Sequence, residues 1–234
     1  MRLQVDVNLP RTGPIIGNGA TRTGFLGGAS CAAARGLMIW DGATLPPRAA
    51  FRSGRGSRRR GSATRRFGDV PAIDVADLGS GEGLLAELLA RRCRTVIAVD
   101  NSEKMVQFGA KKARQNGLTN LEFRLGDLQN PPIPSSSVDL VILSQALHHA
   151  EEPSLALQAA ARILRPGGRV MILDLVKHRF VQARELYGDR WLGFAESDLH
   201  RWLESAGFFG IEITKVAREE QEPCLETLLA VGTK

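Results

Sequence analysis

The sequence predicts an α/β fold: a mostly parallel, seven-stranded sheet that closes with an antiparallel hairpin and follows a disordered N-terminal tail. Three observations predict it. From Ile73 onward, short apolar runs alternate with amphipathic stretches, the pattern of parallel strands joined by helical crossovers. The last two runs, Ile211 to Val216 and Leu225 to Val231, have no helix between them and should pair antiparallel. Residues 1–70 show neither period.

The tail separates from the rest by charge. Met1 to Val70 holds twelve arginines, no lysine and only Asp6, Asp41 and Asp69 as acids, a net of +9, whereas the remainder carries −3 and the whole chain +6. Gly, Pro, Ser and Arg dominate from Pro46 to Gly68, and such a segment buries too little apolar surface to offset its conformational entropy. The division is therefore a disordered tail over 1–70 and one domain over 71–234. Arg58, Arg59 and Arg60 would offer at most weak, non-specific polyanion binding. No pair of helices joined by a tight turn precedes Ile73, so specific nucleic-acid recognition is not expected. Cys31, Cys93 and Cys224 are scattered, without the Cys or His spacing of a zinc site or disulfide framework, so no metal is expected and a reducing cytoplasm fits. No run reaches the roughly 18 to 20 apolar residues of a membrane span.

Each element has its own signal. Ile73 to Leu78 reads as a first strand, followed by the turn Gly79-Ser80-Gly81-Glu82-Gly83 and a helix with Leu84, Leu85, Leu88 and Leu89 on its apolar face. Thr95 to Val99 is a second strand ending in Asp100, and Ser102 should cap a helix that runs to about Gln115 and stops at Asn116-Gly117. Leu121 to Leu125 leads into Gly126-Asp127, and Val138 to Leu143, apolar on both faces after Asp139, reads as a central strand. A helix from about Ser154 to Leu164 should end at Arg165-Pro166-Gly167-Gly168, with Arg169 to Leu175 as the fifth strand and Glu196 to Ala206 as the last helix.

Four motifs fall at strand ends in this frame: Asp77-Leu-Gly-Ser-Gly-Glu-Gly83, Val99-Asp100-Asn101-Ser102, Gly126-Asp127 and Leu164-Arg-Pro-Gly-Gly168. In this order they resemble class I S-adenosylmethionine-dependent methyltransferases of the type 11 group, over the whole of residues 73–234. The resemblance implies a Rossmann-like seven-stranded sheet and S-adenosyl-L-methionine as cofactor. By position it implies that Gly79, Ser80 and Gly81 pass under the methionine part and Asp77 takes the ammonium. Asp100 with Asn101 would hold the ribose hydroxyls, Met105 would cover the adenine, Asp127 and the Leu128 N–H would read its edge, and Ser144 and Gln145 would flank the sulfonium. For Asp77 the alternative is a helix cap, and for Met105 it is core filling.

Leu143-Ser-Gln-Ala-Leu-His-His149 and Tyr187-Gly-Asp-Arg-Trp-Leu-Gly-Phe194 further resemble the methyltransferase domain fused to ArsR-type regulators. Catalysis, if a base is needed, would fall to His148 and His149. Equally, one of the two would serve in a hydrogen bond and the other face solvent. The implied function is methyl transfer to a small-molecule acceptor; the alternative is a cofactor-binding sensory module that lacks its DNA-binding domain. Methyltransferases of this kind usually carry lid helices before the first strand, so an Arg-rich chain there implies weakened cofactor binding. A nicotinamide dehydrogenase fits poorly, because G-x-G-x-x-G needs Gly at position 84, which is Leu84.

Overall fold

The computed structural model describes residues 73–234. The expectations on the tail, its disorder and its arginine patch lie outside the described residues, as does Cys31. Seven strands form one sheet: β1 (Asp74–Leu78), β2 (Thr95–Asp100), β3 (Leu121–Leu125), β4 (Val138–Ser144), β5 (Leu164–Leu175), β6 (Phe209–Arg218) and β7 (Glu226–Thr233), in the order β3-β2-β1-β4-β5-β7-β6. The first five run parallel, and β7 is antiparallel to both β5 and β6, the expected terminal hairpin.

Chain order reverses between β1 and β4, which pair directly. In an open parallel sheet this is where a crevice forms at the carboxyl ends of the strands. Helices α1 (Leu84–Ala90) and α2 (Glu103–Gln115) cover one face, where Ala86, Ala90 and Ala113 pack with Val75, Val96 and Ile142. Helices α3 (Pro153–Ile163) and α5 (Glu196–Ser205) cover the other, where Leu157, Ile163, Leu199 and Leu203 pack with Leu78, Val141 and Leu143. Every residue of β1 is buried, as befits a strand covered on both faces.

Three local expectations change. The buried residues of α1 are Ala86, Glu87 and Ala90, while Leu84 is exposed. Leu85 and Leu89 pack only partly buried against the same face, and the helix start lies close to the sheet: a Cβ on Gly83, at its N-cap, would meet the Phe123 ring at 2.3 Å. Buried Glu87 is paired with Lys112 at 2.8 Å. Second, the Arg165-to-Gly168 stretch does not separate α3 from β5. Leu164 already pairs with Val138, and the irregularity lies inside the strand, where the Gly167 N–H donates to the Lys234 carbonyl at 2.7 Å. Third, Ser102 begins α2 without a side-chain cap; its N–H is instead satisfied by Asp100 Oδ1 at 2.9 Å. The segment after β5 holds a short helix, α4 (Ala183–Tyr187), that periodicity does not reveal because it is only five residues long.

Candidate functional site

The turn after β1 is anchored before any side chain is considered. Gly79 and Ser80 donate their N–H groups to the Val99 carbonyl at 2.8 and 3.0 Å, which ties the turn to the end of β2. Gly79 and Gly81 both have positive φ, a conformation that glycine adopts at little cost. They differ in what surrounds them. A Cβ at Gly81 would enter open space, while one at Gly79 would lie 2.4 Å from the Ala146 Cβ. Gly79 is therefore already required by packing against Ala146, and Gly81 alone leaves room for a ligand to approach the backbone. The Gly81 N–H donates to Asp100 Oδ2 at 2.8 Å, so the two backbone donors of Gly81 and Ser102 hold the Asp100 carboxylate across the turn. Each carboxylate oxygen keeps a further lone pair for an outside donor.

Asp77 lies beneath this turn at 2% exposure, and its Oδ2 is buried without a hydrogen-bond partner. Burial, and then the charge of Asp100, pushes its carboxyl up to about 7. The Ser80 hydroxyl is likewise buried without a partner. An unpaired buried acceptor normally costs free energy; here it fits a cationic donor such as an ammonium group, and the cradle around Gly81 and Asp100 fits the rest of S-adenosylmethionine.

The remaining expected positions are distributed around the same edge. Asn101 is exposed and Met105 half-buried on α2. Asp127 is exposed, and its Oδ1 accepts the Gln129 N–H at 2.7 Å, while Leu128 packs against the core. Ser144 and Gln145 are half-buried at the end of β4, and Gln145 has φ +52°, an uncommon conformation for a residue with a Cβ. Its N–H donates to the Leu173 carbonyl at 2.7 Å, which holds the bend against β5.

The histidines divide. His148 is 5% exposed, with Nδ1 2.7 Å from Asp174 Oδ1 and Nε2 3.6 Å from Asp189 Oδ1. Burial alone would lower its pKa, but the Asp174 and Asp189 carboxylates outweigh burial and hold it above the ordinary value. His149 is exposed, and burial of part of its ring, then the neighbouring His148, holds it below. One histidine is thus hydrogen-bonded inside and the other faces out, with ring centroids 4.1 Å apart.

Three residues here escape sequence reasoning. Asp174 is fully buried and accepts the N–H groups of Leu147 and Leu175 at 3.0 and 2.7 Å; an acid inside the apolar run of β5 was its only signal. Asp189 and His178 come from the segment after β5; Asp189 lies within the Tyr187-to-Phe194 stretch but was given no role there, and His178 carries no motif. Burial holds His178 below its ordinary value, with Asp189 opposing. A cleft of about 220 Å³ beside them is lined by Lys177, His178, Arg184, Trp191, Asp198 and Trp202.

Comparison with known proteins agrees with this geometry. Residues 76–172 match the methyltransferase domain family. The arsenite methyltransferase of Halobacterium salinarum is 34% identical over 153 residues, 62% of this chain and 39% of its own length. The crystal structure of the YcgJ protein from Bacillus subtilis has a TM-score of 0.58 at 17% identity, covering 70% of this chain and 92% of that one. Phosphoethanolamine N-methyltransferase 2 of Haemonchus contortus, solved with S-adenosyl-L-methionine, has a TM-score of 0.62 at 16% identity, covering 72% and 50%. The two structural likenesses concern the fold, and the chain spans under half the length of the curated arsenite enzyme it matches. Residues 76–172 thus match a methyltransferase domain, on a sheet whose strand order and open Asp77–Asp100 cradle fit S-adenosylmethionine as the cofactor.

Proposed function

We propose that the chain transfers the methyl group of S-adenosylmethionine to a small-molecule acceptor bound on the β4–β5 side of the carboxyl edge. The observation that carries this reading is Asp77: a buried carboxylate with an unpartnered oxygen, next to a carboxylate held open by two backbone N–H groups. The cofactor supplies an activated sulfonium methyl. The protein's part is therefore to bind, orient and exclude water, which in-line displacement rewards strongly. Asp77 would take the ammonium, Asp100 with Asn101 the ribose, Met105, Asp127 and Leu128 the adenine, and Ser144 and Gln145 the sulfonium side. His149, the exposed ring, is assigned to the acceptor side, and His148 positions it.

The reading extends to an acceptor side built as in the domain fused to ArsR-type regulators. The two segments that carry that resemblance are in contact, since the His148 carbonyl accepts the N–H groups of Arg190 and Trp191 at 3.1 and 3.0 Å. An arsenite acceptor would call for soft thiolate ligands. Of the described cysteines, Cys93 precedes β2 at the opposite edge, its thiol pushed up to about 11 by burial, and Cys224 lies between β6 and β7. A cytoplasmic setting belongs to the same proposal; among the described residues no helix is long and apolar enough to cross a membrane.

Calorimetric titration with S-adenosylhomocysteine tests the reading without knowledge of the acceptor. Saturable binding is expected, weakened by at least about 100-fold in Asp100→Ala, because two charge-assisted hydrogen bonds of roughly 1.5 to 3 kcal/mol each are lost. Absence of binding by the folded protein would overturn it. A micromolar or tighter constant would overturn the narrower expectation that binding is weakened by an Arg-rich segment in place of a lid.

A further inference from the structure

We propose that His148, His149 and Asp189 form a site for one divalent first-row transition-metal ion of the zinc class. One ligand atom from each of the three residues lies within 4.8 Å of the other two, and His148 Nε2 is 3.6 Å from Asp189 Oδ1. Zinc takes nitrogen and carboxylate ligands at roughly 2.0 to 2.2 Å, which places neighbouring ligand atoms about 3.3 to 3.5 Å apart in a tetrahedron. The His148–Asp189 pair is already near that separation, and the exposed His149, whose Nδ1 lies 3.4 Å from the Gly188 carbonyl, has to close the remainder.

Two independent features point to a ligand. Asp189 is 5% exposed, and its Oδ1 is buried without a hydrogen-bond partner, an arrangement that burial penalises unless a cation or donor completes it. On the other side of the ring, Asp174 Oδ1 engages His148 Nδ1 at 2.7 Å, while the Leu147 and His148 N–H groups hold the same carboxylate through Oδ2 at 3.0 and 3.3 Å. A carboxylate that receives one imidazole nitrogen and so aims the other, here toward Asp189, is the usual support of a metal-bound histidine. Charge agrees: two buried carboxylates flank one imidazole, and a protonated His148 would neutralise only one of them, whereas a divalent ion on the Nε2 side neutralises both. Two nitrogens and one oxygen leave a fourth position open, and His149 places it toward solvent.

The sequence gives no such spacing because Asp189 lies 40 residues from His149 and reaches it only through the segment after β5. The site shares His148 and His149 with the acceptor side of the methyl-transfer reading, but its test needs neither cofactor nor acceptor. The full chain is freed of metal with a chelator and titrated with Zn²⁺ by calorimetry, and Co²⁺ binding is followed by visible absorption. One equivalent bound with a micromolar or tighter constant is expected, with the intense d–d bands of a low-coordinate Co²⁺ site. His149→Ala, which removes an exposed ring and should leave the circular dichroism spectrum unchanged, and Asp189→Asn should each weaken Zn²⁺ by at least about 100-fold. The proposal is overturned if the folded protein takes up no stoichiometric ion, or if His149→Ala binds Zn²⁺ as tightly as the parent.

Discussion

Strand β1 carries an aspartate near each end, and the two have opposite surroundings. At the amino edge, Asp74 accepts from Arg94 Nε, Thr95 Oγ1 and Arg165 Nη2 at 2.8, 2.7 and 2.9 Å, and neighbouring Asp139 pairs with Arg165 at 2.8 Å. The Arg94 hydrogen bond, aided by Thr95 and Arg165, overcomes burial and holds the Asp74 carboxyl far below the carboxylate range. At the carboxyl edge, three residues on, Asp77 has an unpartnered oxygen and a carboxyl raised to about 7. Both are buried aspartates of one strand, yet one is a completed structural network and the other an open one. The unfinished edge is where a ligand can contribute what the protein withholds, in keeping with the trade between stability and function at binding sites.

Substituting Asp77 should break the comparison most. Its folded pKa lies above the unfolded value of 3.8, so its ionisation costs stability progressively from about pH 4 to 7 and fully above that. Asp77→Asn should therefore stabilise the unliganded protein above pH 7 by on the order of 3 to 4 kcal/mol and change it little near pH 4. The same variant should bind S-adenosylhomocysteine more weakly. Thermal melts at the two pH values check the first part; a destabilised variant at alkaline pH would mean that the Asp77 carboxylate is already satisfied.

Asp74→Asn should act in the opposite sense. Its folded pKa is depressed, so its contribution is present at neutral pH and lost only as pH falls below the unfolded value. Loss of about 1 to 3 kcal/mol is expected at neutral pH, tempered because the Arg94 side chain is 45% exposed and screened. Urea denaturation measures it, and cofactor affinity should not move. If affinity falls with stability, the two edges are coupled and the contrast fails.

The smallest effect should come at Gly81. Ala there meets no atom but must hold φ near +53°, so a stability loss of about 1 kcal/mol is expected, with a larger loss in S-adenosylhomocysteine binding. Gly79→Ala should reverse the balance, losing more stability because its Cβ would overlap Ala146. Equal effects at both positions would show that the turn tolerates no Cβ for one shared reason.

Legibility followed the range of the interaction. Every strand was visible, since β1 and β4 are short, mainly apolar runs bounded by turn residues and β6 and β7 follow one another with no helix between. The four motifs were visible because each lies within a few consecutive residues; three sit at the carboxyl ends of strands, whereas Leu164-to-Gly168 opens β5 at the amino edge, where Arg165 meets Asp74 and Asp139. The leucine face of α1 misled in part, because the seven-residue helix that begins at Leu84 buries Ala86 and Ala90 most fully and leaves Leu84 exposed, with Leu85 and Leu89 only partly buried. Asp174, Asp189 and His178 were not legible, since their meaning depends on one another across distant segments.

The sequence alone determined the α/β order of elements, the terminal hairpin and the placement of three of the four motifs at the carboxyl edge, because periodicity and turn chemistry are local and the carboxyl ends of parallel strands share one sheet edge by topology. Only the tertiary structure decided which buried acids are paired. Asp74 meets Arg165 from 91 residues away, and His148 meets Asp174 and Asp189 from two different segments. Partnership of that kind is a property of the packed chain, and it separates the aspartate that stabilises the sheet from the one left open for a ligand.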